Sequence, residues 1–244
     1  MDIIAHRGYS GVYPENTMLA FRKAEEVGVD GIELDVHLSS DGELMIIHDE
    51  ALKRTAGKDG VVSDYTRSEL EKINAGKTKN DEFGFTPIPS LEEFLAWLKD
   101  TSLYVNIELK TAPVYYPGIE EKTVKMVESF GLSDRVIYSS FNWLSIFHLQ
   151  RMGVKSEKGL LFDGMVLKNI GYQLKDNGIE YYHPSYRLLS DAAVAEMKAN
   201  GRGLNVWTVN DEDAMRQCMK WDIRGLITNE PEKAGKLYRC FINQ

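Results

Sequence analysis

Short apolar runs recur along this chain, and each gives way to a stretch of helical periodicity. The runs are Asp2–His6, Gly31–Val36, Leu103–Leu109, Arg135–Ser139, Lys158–Phe162, Ile179–His183, Gly203–Val209 and Ile223–Ile227. Each is rich in Ile, Val, Leu or Tyr and has the length of a parallel strand buried on both faces. Between them helices are predicted over Asn16–Val27, Leu91–Lys99, Ile119–Phe130, Trp143–Met152, Val166–Asn177, Asp191–Asn200, Glu212–Trp221 and Pro231–Tyr238. Ser90 and Glu93 have the spacing of a capping box. Glycines follow the helical runs, in the second half about every 22–25 residues, the size of one βα unit with short loops. Eight such units over 244 residues predict an α/β fold, a closed (β/α)8 TIM barrel forming a single domain over 1–244. The rival is a doubly wound open sheet, which has fewer units and often a Gly-rich first turn. The first turn here, His6-Arg7-Gly8-Tyr9-Ser10-Gly11, lacks the dinucleotide-binding spacing.

One region breaks the rhythm. Asp41-Gly42 marks a tight turn leading into a short strand at Leu44–His48, a hairpin signal. The mixed, Gly-containing stretch that follows, with one short helical piece near Arg67–Ile73, is too long for an ordinary loop. It reads as a small insertion at about 51–89, between strand 2 and helix 2. In a barrel it would overlie the C-terminal face, where active sites form.

The formal net charge is −8, which argues against a sequence-independent nucleic-acid binder but not against a small anionic substrate held by a local basic patch. Cys218 and Cys240 have no metal-type spacing and read as structural or incidental. The opening residues lack a basic segment followed by an apolar stretch, and no window approaches a membrane span, so a cytoplasmic protein is expected.

Polar residues on the strands carry the functional signal. Glu33 and Asp35 lie two apart in an otherwise apolar strand and so share one face. Glu108 ends the next barrel strand, beside them. Three converging carboxylates are costly to bury without a counter-charge and suit Mg²⁺ or Ca²⁺ rather than zinc. The competing reading is ordinary salt bridges to Arg or Lys. His6 ends the first strand, before Arg7, and His48 ends the hairpin strand, before Asp49. Two imidazoles beside a cation and a basic residue are the parts that phosphodiester cleavage needs: an acid for the leaving alkoxide and a base for the attacking hydroxyl. Arg7 suits a bidentate phosphate contact, and Lys110 adds charge compensation. His37 shares the carboxylate face but lies past the strand end, and His148 sits within a helix.

These residues resemble the glycerophosphodiester phosphodiesterase family, in its short single-domain bacterial type. The resemblance is carried by His6-Arg7-Gly8, Pro14-Glu15-Asn16-Thr17, Glu33-Leu34-Asp35-Val36, Asp41-Gly42, His48-Asp49, Asn106-Ile107-Glu108-Leu109-Lys110 and Val206-Trp207-Thr208-Val209-Asn210. It implies a barrel with a small insertion and a divalent cation, Mg²⁺ or Ca²⁺, on Glu33, Asp35 and Glu108. His6 and His48 would be catalytic, and glycerophosphodiesters would be hydrolysed to sn-glycerol 3-phosphate and an alcohol. Arg7 and Lys110 match phosphate-side residues and Glu15 the first-loop motif; Asn16 doubles as a candidate helix cap. Trp207 matches an aromatic lining the glycerol side, with Phe141 and His183 as further pocket candidates. The chain departs from the family pattern near its end, where Asn229 replaces an acid and Arg224 another. Those changes are expected to affect loop geometry and substrate preference, not the reaction.

Two other readings compete. A lipid-cleaving barrel phosphodiesterase would need membrane-facing apolar loops. A non-catalytic phosphodiester-binding barrel would be expected to have lost a histidine or an acid, and none is missing. The expected partner is a small-molecule glycerophosphodiester, with no nucleic acid and no stable membrane insertion. The insertion offers a surface on which a homo-oligomer could form.

Overall fold

The computed structural model describes residues 1–79, 81–112 and 114–243. Strand β1 (Asp2–His6) leads to helix α1 (Met18–Glu26), β2 (Gly31–Leu38), β3 (Leu44–Ile46), α2 (Lys53–Ala56), α3 (Arg67–Leu70), α4 (Leu91–Leu98) and β4 (Tyr104–Leu109). Then follow α5 (Ile119–Phe130), β5 (Val136–Ser140), α6 (Trp143–Arg151), β6 (Glu157–Phe162), α7 (Ile170–Asp176) and β7 (Tyr181–Pro184). The chain ends with α8 (Asp191–Ala199), β8 (Gly203–Val206), α9 (Glu212–Trp221), β9 (Gly225–Thr228) and α10 (Pro231–Ile242). Eight strands pair in parallel, and β1 bonds to both β2 and β9, so the sheet closes into a (β/α)8 barrel. The ninth, β3, runs antiparallel on β2 outside the ring. Full closure leaves the parallel strands no free edge.

Alternation divides each strand. Ile32, Leu34 and Val36 of β2, and Val105, Ile107 and Leu109 of β4, join the apolar layer between barrel and helices. Their neighbours Glu33, Asp35, Asn106 and Glu108 point the other way, into the barrel. Four inward positions are glycine, and the reason is steric. A Cβ on Gly31 would lie 2.7 Å from the Tyr104 ring, and one on Gly203 would lie 2.6 Å from Tyr181. Likewise, Gly159 makes room for His183 and Gly225 for Asn205.

Helix ends follow local rules, with differences from expectation. Thr17, not Asn16, caps α1 by accepting from the Ala20 N–H. Ser90 caps α4 through the Glu93 N–H, one half of the expected box. Helix α7 begins at Ile170 rather than Val166, after Asn169 in the left-handed region. Gly131 ends α5 with φ 71°, a conformation that favours a residue without Cβ.

Between β3 and α4 the chain forms α2, a 3₁₀ turn at Val62–Asp64, and α3. This stretch has its own apolar cluster, in which Leu52, Val62, Leu70 and Ile88 pack on Met45 and Ile47. It is therefore a packed unit anchored on the hairpin. Cys218 is buried and Cys240 exposed, both as free thiols. Among the described residues no helix is long and apolar enough to cross a membrane.

Candidate active site

The site lies at the C-terminal end of the barrel, in a pocket open to solvent. His6, Arg7, Glu33, His48, Asn106 and Glu108 line one part of it, and Phe141, Leu161 and Trp207 another. Parallel pairing brings the acids together: Glu33 stands beside His6 across β1–β2, and Asp35 beside Glu108 across β2–β4. One carboxylate oxygen from each of Glu33, Asp35 and Glu108 lies within 4.8 Å of the others, and all three residues are buried.

Their charges are managed unequally. Burial pushes the Glu33 carboxyl well up, and the charges of Asp35 and Glu108 push it further. Burial raises Glu108 to about 7, against the pull of Lys110. Burial would also raise Asp35, but Lys110 and Arg7 outweigh it and hold that carboxyl below the usual range. Lys110 Nζ sits 2.8 Å from Glu108 Oε1 and 3.5 Å from Asp35 Oδ1. Asp35 Oδ2 accepts from Asn16 Nδ2 at 2.8 Å, while Asp35 Oδ1 is buried without a hydrogen-bond donor. An all-oxygen set with an undersatisfied buried carboxylate oxygen fits a hard divalent cation. The salt-bridge reading therefore holds in part, and it leaves a deficit. Among the described residues, the five carboxyl groups of Glu15, Glu33, Asp35, Asp49 and Glu108 share three permanent cations, Arg7, Arg54 and Lys110, with His6 beside Glu33 and His48 beside Asp49.

The first loop aims Arg7. Arg7 and Asn16 both adopt φ 55°, and the Asn16 N–H donates to the Arg7 carbonyl at 3.0 Å. Such a conformation costs a non-glycine residue about 1–3 kcal/mol and persists where surrounding contacts hold it. The Arg7 N–H donates to Glu33, and Arg7 Nη1 donates to Glu15 at 2.9 Å.

Both imidazoles are held through Nδ1. His6 Nδ1 donates to Asn229 Oδ1 at 2.6 Å, and the single Ser10 hydroxyl proton is shared between the His6 carbonyl, at 2.7 Å, and the same Asn229 oxygen, at 3.0 Å. Burial, reinforced by Arg7, lowers His6 to about 3. His48 Nδ1 meets Asp49 Oδ1 at 2.5 Å, and burial lowers His48 as well. Among the described residues neither Nε2 has a hydrogen-bond partner, and that of His6 lies 3.8 Å from Glu33 Oε2.

Other expected residues fall outside the pocket wall. Glu15 lies behind Arg7, bonded to Arg7 and Arg54. Lys110 and Asp35 lie beneath the wall. His37 is fully buried: Nδ1 pairs with the Tyr116 hydroxyl, and Nε2 donates to the His48 carbonyl at 3.0 Å, bracing the hairpin exit. His183 is buried below the pocket against Asn205 and Gly159. Phe141 and Trp207, by contrast, do line the pocket and pack edge to face there, 5.5 Å between centroids. His148 pairs with Glu121 on the helical surface. Asp49, Arg54 and Asn229 were not expected at the site; the sequence signals were the His48-Asp49 adjacency and the departure at Asn229, and Arg54 had none.

The sequence matches the Glycerophosphoryl diester phosphodiesterase family over residues 6–233. The chain belongs to this family. A glycerophosphodiester phosphodiesterase of Caldanaerobacter subterraneus subsp. tengcongensis is 39% identical over 244 residues, covering 97% of each chain. That of Bacillus altitudinis is 38% identical, covering 96% of this chain and 97% of its own. Among solved structures, the Oleispira antarctica phosphodiesterase in complex with the product sn-glycerol-3-phosphate superposes with TM-score 0.87. It is 26% identical, over 98% of this chain and 97% of that one. Family membership makes this chain a phosphoric diester hydrolase, and the family's barrel is the fold described above.

Proposed function

We propose that the protein hydrolyses glycerophosphodiesters to sn-glycerol 3-phosphate and an alcohol, with His6 and His48 as the acid–base pair. The observation that carries this reading is the convergence of two Nδ1-anchored imidazoles, Arg7 and three clustered carboxylates on one pocket. Hydrolysis forms a bond from phosphorus to the attacking hydroxyl oxygen and breaks the bond to the alcohol oxygen. One imidazole Nε2 takes the proton of the attacking hydroxyl, and the other gives a proton to the departing alkoxide, which would otherwise leave very slowly. Burial keeps both rings neutral at rest, which suits a base. The ring that serves as acid would take its proton from solvent water as the anionic substrate binds, and the ring that serves as base would return one to solvent after turnover. The Arg7 guanidinium, which lines the pocket, would stabilise charge on the non-bridging oxygens. Phe141, Leu161 and Trp207 would shelter the glycerol carbons and keep bulk water away.

Glu33, Asp35 and Glu108 would hold a divalent cation, Mg²⁺ or Ca²⁺. When bound, such an ion supplies Lewis-acid stabilisation of phosphoryl oxygens. Lys110 and Asn16 hold Asp35 and Glu108 in place for it. In this reading residues 1–244 are one catalytic domain in the cytoplasm, with 51–89 as an insertion beside the mouth.

The test is release of glycerol 3-phosphate from glycerophosphocholine by purified protein in Mg²⁺ or Ca²⁺. Turnover is expected. Binding of the diester without turnover, under saturating metal, would replace the hydrolase with a binding protein.

A further inference from the structure

Arg54, on α2 of the stretch between β3 and α4, is tied to both halves of the site. Its Nη1 and Nη2 donate to Glu15 Oε2 and Oε1 at 2.8 and 2.7 Å. Its Nε and Nη2 donate to Asp49 Oδ2 and Oδ1 at 2.6 and 3.1 Å. Beyond these carboxylates stand the site residues themselves: Glu15 accepts from Arg7, and Asp49 meets His48. The result is one continuous chain, Arg7–Glu15–Arg54–Asp49–His48. A planar guanidinium can serve two carboxylates at once, which a lysine ammonium cannot do in bidentate fashion.

Stability explains this poorly. The Arg54 side chain is 46% exposed, and exposed ion pairs contribute little to folding. The geometry is nevertheless well supported. The Arg54 carbonyl accepts from Thr78 Oγ1, and Leu52 and Ala56 of the same segment are buried in the local apolar cluster. Removing the guanidinium would leave Glu15 and Asp49 as neighbouring anions with no shared cation. Their repulsion would draw each away from the residue it orients.

We propose that Arg54 is a positioning residue, through which the inserted segment fixes the His48 imidazole and the Arg7 guanidinium together. The proposal rests on the hydrolase reading above. Burial would raise the Asp49 carboxyl, yet the bonds from Arg54 and His48 hold it at about 2, in keeping with a carboxylate clamped as an anion.

The test compares wild type, R54A, R54K, D49N and the D49N/R54A double variant on glycerophosphocholine in saturating Mg²⁺, with thermal melting in parallel. R54A is expected to lower kcat about 10–100-fold, the range for partners that orient active-site histidines, with KM changed less and the folded state retained at assay temperature. R54K should fall between the two. Low millimolar guanidinium should restore part of the R54A activity and leave wild type unaffected. The double variant should lose little more than the worse single variant, because both act through one connection. Wild-type kcat in R54A or R54K, or additive losses in the double variant, would overturn the proposal. If R54A fails to fold, R54K with guanidinium-independent, wild-type turnover has the same force. A wild-type protein that releases no glycerol 3-phosphate overturns the hydrolase reading itself, and this proposal with it.

Discussion

His6, the last residue of β1, donates through Nδ1 to Asn229, the first residue beyond β9, at 2.6 Å. The position where the chain departs from its family's usual acid therefore touches a proposed catalytic ring directly. The expectation that this change concerns only loop geometry and substrate preference is too narrow. The neutral amide favours the charged imidazole only through this one hydrogen bond, whereas a carboxylate would add a full opposite charge. N229D should therefore raise the His6 pKa from about 3, by about 1–3 pH units for an adjacent opposite charge. The limb of the pH–rate profile that His6 governs, the acid limb if it is the base and the alkaline limb if it is the acid, should move up correspondingly. A profile identical to wild type would uncouple Asn229 from His6.

H6A and H48A should each reduce kcat by about 10²–10⁴-fold, the usual contribution of a positioned acid or base. Both rings sit at strand exits rather than in the apolar layer, so circular dichroism and melting should stay close to wild type. Full activity in either variant removes that residue from the acid–base pair.

Excess EDTA should abolish turnover, and Mg²⁺ or Ca²⁺ should restore it. The ion should also raise the melting temperature, because it binds only the folded carboxylate cluster. At a hundred times Kd the gain is about 2.7 kcal/mol. E108Q should blunt both responses. Activity and melting that ignore chelator would take the cation out of the reaction.

His183 offers a pH test away from the reacting centre. Burial lowers it from 6.5 to about 3, so from about pH 6.5 down to about 3 the unfolded chain holds the proton and the folded chain does not. The folded state should lose about 1.4 kcal/mol per pH unit from this residue as acidity increases. Carboxylates such as Glu108, raised to about 7, act in the opposite sense, so the comparison must be between variants. Urea titrations of wild type and H183N from pH 7 to 4 should give stability curves that converge by that slope. Parallel curves would contradict a neutral buried His183.

The barrel was readable because each parallel strand buries an apolar face against a helix, so its run stands out. Glu33, Asp35 and Glu108 were readable for the complementary reason, as charges interrupting those runs. What sequence periodicity could not show was anything joined across loops. His6 and Asn229 are 223 residues apart, and Arg54 and Glu15 are 39 apart. His37 was read as lying past the strand end, but β2 runs on to Leu38 beside its hairpin partner, which carries the ring behind the site. His183 was placed at the mouth by its strand-end position, but Gly159 on the next strand opens a niche for it lower in the barrel.

Those inward glycines carry a wider consequence. Gly31 with Tyr104, Gly159 with His183 and Gly203 with Tyr181 form interlocked partners, one member empty-handed and the other bulky. Enlarging the small member alone produces a collision, and trimming the large one alone leaves a hole. The floor beneath the carboxylates can therefore be altered only by paired exchanges. Loops around the rim can vary one position at a time, so new substrate preferences are accessible without disturbing the platform that supports the chemistry.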